Sequence, residues 1–270
     1  MKRILILSSI LLLLSSHDLY LKPEHYFCDP HSPITLALYN GTFFTSENTI
    51  ARDRMRQVRV EGPGATFEQA TASWRDHDQI TFLDVQTARA GTYVAAISIF
   101  PRPLELTAEE FNEYLEHDGV LDVLKERQAS GDDTTNVREL YAKHVKTIFQ
   151  VGSQRSTHYG RVFNDPVEFV PVTNPYELTL PADMEVRLLG NGRPLTGQLV
   201  YLGQGHHQGH HEKNGHEHHD EQLRTDQNGM IEIRIDRPGA YYLRTIHMTK
   251  SRKDGIDYES NWATLTFEVR

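Results

Sequence analysis

The chain has 270 residues, 38% hydrophobic and 24% charged, which is a globular composition with enough apolar material for a sizeable core. Its formal charge of −9 and the lack of a basic stripe argue against a nucleic-acid partner; the acidic surface attracts cations weakly. The single cysteine, Cys28, excludes an internal disulfide, which in an exported protein suits a bacterial periplasm.

Residues 1–16 read as a signal peptide. Lys2 and Arg3 form a positive start, Ile4 to Leu14 is a short apolar run, and Ser15 and Ser16 are small residues for cleavage before His17. A short uncleaved anchor is the competing reading, disfavoured because the run is below spanning length. No later segment is apolar enough to cross a membrane, so no span is expected after cleavage.

The remainder predicts a mainly β fold of two β-sandwich units. The first, 17–180, carries a helical insertion at about 107–149; the second, 181–270, is a smaller sandwich. Alternation marks strands through Ile34, Leu36 and Leu38, through 79–85 and 92–100, through Ile231, Ile233 and Ile235, and through Ala263, Leu265, Phe267 and Val269. Thr107 and Glu110 have capping-box spacing, opening a helix with Phe111, Tyr114 and Leu115 on one face. A second helix is predicted over 120–128. Val137, Leu140, Tyr141, Val145 and Ile148 predict a third. Four prolines in 166–181 suggest a linker between the units. A short echo, Arg89-Ala90-Gly91-Thr92-Tyr93 against Arg237-Pro238-Gly239-Ala240-Tyr241, places a glycine turn before a strand whose first aromatic can pack on a core.

Histidine carries the chemistry. A cut after Ser16 leaves His17 first, so its α-amine and Nδ1 can chelate one metal ion; the amine's ordinary pKa of ~8 lets it lose its proton more readily than a lysine. Within 205–220 lie His206, His207, His210, His211, His216, His218 and His219, interleaved with glycine and with acidic oxygen donors. That composition suits capture of nickel, cobalt, copper or zinc and lacks the thiolates of a closed structural zinc site. His247 sits near the end of a predicted strand, where a histidine is more often a core or rim residue than a ligand. His25, His31, His77, His144 and His158 show no paired ligand spacing. There is no phosphate loop, nucleophile elbow or zinc-protease motif, and no catalytic residue is expected.

Several segments taken in order resemble a family. They are His17-Asp18-Leu19-Tyr20-Leu21-Lys22-Pro23, 141–152, Glu168-Phe169-Val170-Pro171-Val172-Thr173-Asn174-Pro175, Gly192-Arg193-Pro194-Leu195-Thr196-Gly197, Thr225-Asp226-Gln227-Asn228-Gly229, and His247 followed by 260–269. The chain resembles periplasmic NikM-like proteins associated with nickel and cobalt uptake. The resemblance implies that the second unit is transthyretin-like or carboxypeptidase-regulatory-like. It implies metal delivery to a membrane transporter, with His17 and His247 as the family histidines to carry over as ligands. Two other functions stay open: a β-sandwich binding or adhesion module with an incidental histidine run, and a copper oxygenase built on an amino-terminal histidine chelate.

Overall fold

The computed structural model describes residues 18–68, 74–205 and 220–270. The first unit contributes β1 (Asp18–Pro23), β2 (Phe27–Cys28), β3 (Pro33–Gly41), β4 (Met55–Gly62), β5 (Ala65–Glu68), β6 (Trp74–His77), β7 (Ile80–Gln86), β8 (Gly91–Ile99) and β9 (Arg102–Leu106). Helices α1 (Ala108–His117) and α2 (Leu121–Ser130) follow, then β10 (Val137–Val151). The rest is β11 (Val167–Pro171), β12 (Ala182–Gly190), β13 (Arg193–Pro194), β14 (Leu199–Gly205), β15 (Glu221–Arg224), β16 (Met230–Ile235), β17 (Gly239–Lys250) and β18 (Tyr258–Val269).

The mainly β, sandwich-type fold is as expected, and the two units share their largest sheet. The ten-stranded central sheet runs β15-β14-β17-β18-β10-β8-β4-β5, with β2 and β9 also paired to β10. The joint is the parallel pair β10–β18, with His144 opposite Ala263. On one face lies sheet β1-β3-β7-β6, burying Leu19, Leu21, Leu36 and Leu83 against Val60, Ile97 and Phe149. On the other lies the sheet of β11, β12, β13 and β16, burying Phe169, Val186 and Ile233 against Leu243, Leu265 and Phe267. The helices cover the β1 side of the central sheet beside β1, through Phe111 and Leu115 against Ile246, Tyr258 and Trp262. The molecule is therefore three layers deep. β11, inside the segment expected as a linker, pairs antiparallel with β12.

Local rules explain the edges of these elements. Thr107 and Glu110 form the expected capping box at the start of α1. The five-residue echo is one structure built twice: the Tyr93 hydroxyl donates to the Arg89 carbonyl at 2.8 Å and the Tyr241 hydroxyl to the Arg237 carbonyl at 2.7 Å. Gly91 (φ +156) and Gly239 (φ +142) make the bend that brings each ring back over its own turn.

One expectation is corrected. The third helix, Val137 to Ile148, is the long central strand β10, so the helical insertion ends with the 3-10 turn Asp132–Thr134 that follows α2. Both faces of β10 are buried, so its apolar residues occupy both strand parities. Val145 and Phe149 face the β1 sheet and Ile148 faces the β11–β12 sheet. A strand buried on two sides loses its two-residue period, and its chance spacings can imitate a helical stripe.

Candidate metal-binding site

Of the proposed ligands only His247 lies among the described residues. His17 and His206, His207, His210, His211, His216, His218 and His219 lie outside them. The described residues that flank them are Asp18, Gly205 and Asp220. The histidine run joins β14, ending at Gly205, to β15, starting at Glu221, and these two strands pair antiparallel at one edge of the central sheet. Gly205 lies beneath the Phe43 ring, which a Cβ would meet at 2.5 Å, so no side chain fits there without moving the ring. Phe43 in turn stacks on Tyr242 with ring centres 4.8 Å apart.

Arg244 on β17 ties this edge to the start of the described chain. Its Nε donates to Asp220 Oδ2 at 2.9 Å and lies 3.7 Å from Asp18 Oδ2. Its Nη1 donates to the Asp118 carbonyl at 3.2 Å, and the guanidinium lies 4.4 Å from the centre of the Tyr201 ring. The Tyr242 hydroxyl donates to Asp220 Oδ1 at 2.6 Å, and the Tyr20 hydroxyl to Asp18 Oδ2 at 3.0 Å. Burial alone would weaken the Arg244 charge, but Asp18, Tyr20 and Asp220 outweigh it and raise its pKa. Asp18 and Asp220, each next in sequence to a proposed ligand, thus meet at one guanidinium. β1 is held there as well: Thr264 and Thr266 on β18 donate to the carbonyls of Leu19 and Leu21.

His247 stands on the other face of β17. Tyr241 and Leu243 share its parity and enter the core beneath the β11–β12 sheet. Arg244 has the opposite parity and meets Asp18 at the start of β1. The orientation of His247 is fixed by Gln198, whose Nε2 donates to the Ile246 carbonyl and to Thr245 Oγ1, both at 3.1 Å. The Gln198 amide oxygen therefore faces His247 Nδ1, at 3.0 Å, and Nδ1 carries the proton. Nε2 keeps its lone pair on a half-buried ring whose pKa burial lowers. With Nδ1 bonded to Gln198, Nε2 is the nitrogen of this ring that a metal would take. Among the described residues, however, no group of three or more His, Cys, Asp or Glu is arranged to hold a metal ion.

Sequence reasoning missed the chain of hydrogen bonds beside it. Asn261, opposite His247 in register, places its Oδ1 3.1 Å from His144 Nε2; Ser98 Oγ lies 2.9 Å from His144 Nδ1 and 2.7 Å from Asp165 Oδ1, with one proton to give to either. Both imidazole nitrogens of His144 are engaged, so it is no ligand. Its serine lies between histidine and aspartate, which is not the order of a nucleophilic triad. Cys28 is also inert: burial and the neighbouring Asp29 push its thiol up to about 11. No helix among the described residues is long and apolar enough to cross a membrane.

Comparison with known proteins adds a family and distant likenesses. The human OSCAR ligand-binding domain is 10% identical, with 92% of this chain and 97% of that one covered and a TM-score of 0.19. A DUF4785 family protein from Legionella pneumophila is 8% identical over 83% of this chain and 50% of its own, with a TM-score of 0.24. The D0–D1 domain of intimin is 10% identical over 93% of this chain and 97% of its own, at a TM-score of 0.21. No curated protein matches. The family described as domain of unknown function DUF4198 matches residues 14–249, and the chain belongs to it.

Proposed function

We propose that the protein is a periplasmic transition-metal-binding accessory of metal uptake or homeostasis. Nickel or cobalt is the favoured cargo, copper or zinc the alternative, and the partner is a membrane metal transporter. The reading rests on the seven histidines in 206–219 and on the amino-terminal chelate that cleavage before His17 would create. The resemblance to NikM-like uptake proteins points the same way.

The observation that carries it is the convergence at Arg244. Asp18, next to His17, and Asp220, next to His219, are both held by that one side chain. Neighbours of two donors held at one side chain would let those donors serve one ion or pass it between them. His247 faces away from that point, so its free Nε2 would act as a separate, weaker site.

The test is metal content and binding of exported protein, with and without residues 206–219. Deletion should lower the number of ions bound while leaving the unfolding transition in place, because β14 and β15 remain paired by their own ladder. Affinity should fall as pH drops through about 6.5, where imidazole takes up a proton. Protein that carries no transition metal when isolated and gains none above a histidine-free control removes the reading.

A further inference from the structure

A groove of about 540 Å³ lies along β4, near the end of the central sheet opposite the histidine run. Val58 and Val60 of β4 enter the core against the β1 sheet, so Gln57, Arg59 and Glu61 point to the other face. On that face the β11–β12 sheet buries Val94 and Ala96 of the neighbouring β8. Over β4 itself the facing wall is the segment 161–164. The volume falls within the range of small-molecule sites, about 300–1,000 Å³.

The wall is fixed before any ligand arrives. The buried Glu168 carboxylate accepts the amides of Phe163 and Asn164, and Lys146 donates to the Arg161 carbonyl. Arg59, half-buried, is aligned by the same wall: its Nη1 donates to the Phe163 carbonyl at 2.7 Å, and its guanidinium lies 5.1 Å from the centre of the Phe163 ring. Among the described residues its Nε and Nη2 have no hydrogen-bond acceptor and its charge has no ion-pair partner. Arg161 and Glu61, by contrast, answer each other at 2.8 Å. Two arginines against one glutamate leave the groove with one unanswered positive charge, and that charge is Arg59.

We propose that this groove binds a small hydroxylated monocarboxylate, of the sugar-acid class, with the carboxylate on the Nε–Nη2 edge of Arg59. That edge presents two parallel N–H groups, which match the two oxygens of one carboxylate. One free positive charge is balanced by one negative charge, whereas a dianion would bring a second charge with no free cation to meet it. Gln57 and Asn164 each line the groove with an amide that both donates and accepts, as hydroxyl groups require. Because Arg59 is already held against Phe163, little ordering cost is left for binding. The site owes nothing to the metal reading, and either can fail alone.

The experiment titrates the exported full-length protein and follows its backbone amides by NMR. EDTA is present, so that the histidines cannot hold an acid through a metal ion. D-galacturonate is the probe. D-galactose is the same ring without the carboxylate, and sulfate is an anion without hydroxyls. Galacturonate should shift amides in 57–61 and 161–164 with a dissociation constant on the order of 1 mM, ordinary for about a dozen non-hydrogen atoms in an open polar site. Galactose and sulfate should bind at least about tenfold more weakly. Arg59→Lys keeps the charge but loses the paired edge, and should weaken galacturonate about tenfold. Val162 lines the groove and is 38% exposed. Val162→Trp should fill the groove and abolish binding while moving the melting temperature by no more than about 2 °C, so that lost binding is not lost folding. Galacturonate that shifts neither segment overturns the inference. So does galactose or sulfate binding as tightly, the latter meaning an adventitious anion only, and so does unchanged galacturonate affinity in either variant.

Discussion

The two faces of β10 carry similar charged residues and use them differently. On the face toward the β11–β12 sheet, Lys146 and Glu168 form an ion pair of 2.9 Å with side chains 4% and 2% exposed. Lys146 also donates to the carbonyls of Phe169 and Arg161, and Glu168 accepts the amides of Phe163 and Asn164. Each charge is answered, and the pair pins the 161–169 segment to the sheet. On the opposite face Glu139 keeps one oxygen unanswered, and burial lowers Lys143 to about 8. A buried charge with every bond made holds structure together. One with an oxygen left over carries its desolvation cost without the compensating bond.

The comparison predicts its largest effect on the satisfied face. Lys146→Ala would leave the Glu168 carboxylate buried without its cation, a loss of about 3–5 kcal/mol. Chemical denaturation measures it, and a loss under about 1 kcal/mol would mean that the pair is not what holds the segment.

A smaller effect is expected at the chain entrance. Arg244 is 17% exposed, so its bonds to Asp220 and the Asp118 carbonyl are partly screened. Arg244→Ala should cost about 1–2 kcal/mol, at the lower end for bonds to charged groups. Arg224 pairs with Asp122 at 2.8 Å, but both side chains are about half exposed, 47% and 56%. Arg224→Ala should therefore cost no more than about 1 kcal/mol. If the two variants lose equal stability, Arg244 is an ordinary surface pair and not the tie between β1 and the base of the histidine run.

How far the sequence reaches can be judged from these residues. The capping box at Thr107 and the corners at Tyr93 and Tyr241 are local patterns, readable because donor and acceptor lie four residues apart or fewer. The histidine run is legible as composition alone. β10 is not legible, because burial on both sides removes the alternation that identifies a strand. The shared sheet is hidden for a related reason: it depends on β10 pairing parallel with β18, and no local pattern announces a contact so distant along the chain. Arg244 reads as one more charged residue in a strand until folding brings Asp18 and Asp220 to it. Glu139 gives no sequence signal, since what sets it apart is one oxygen left over after the hydroxyls of Tyr114 and Ser260 have bonded.

The smallest effect separates the faces by pH. His144, 3% exposed, lies on the satisfied face. Burial lowers its pKa, while the bond to Asn261 and the charges of Asp165 and Glu168 work the other way and Arg56 adds to the lowering. The sign follows from which state binds the proton first. Above about 6.5, the value of a free imidazole, folded and unfolded chains are both neutral at this residue and pH has no effect through it. As pH falls below that value the unfolded chain protonates first, so stability declines until the folded ring also takes a proton. The decline cannot exceed about 1.4 kcal/mol per pH unit for one group. His247, also lowered by burial, contributes in the same direction, so the useful quantity is the difference between wild type and His144→Gln across the acid range. That difference should shrink as pH falls from about 6.5, because only the wild type carries the extra acid sensitivity. Parallel curves would mean that Asp165, acting through Ser98, holds His144 protonated in the fold as readily as water does in the unfolded chain. The satisfied face would then contain a second buried ion pair, imidazolium with carboxylate, in place of a neutral relay.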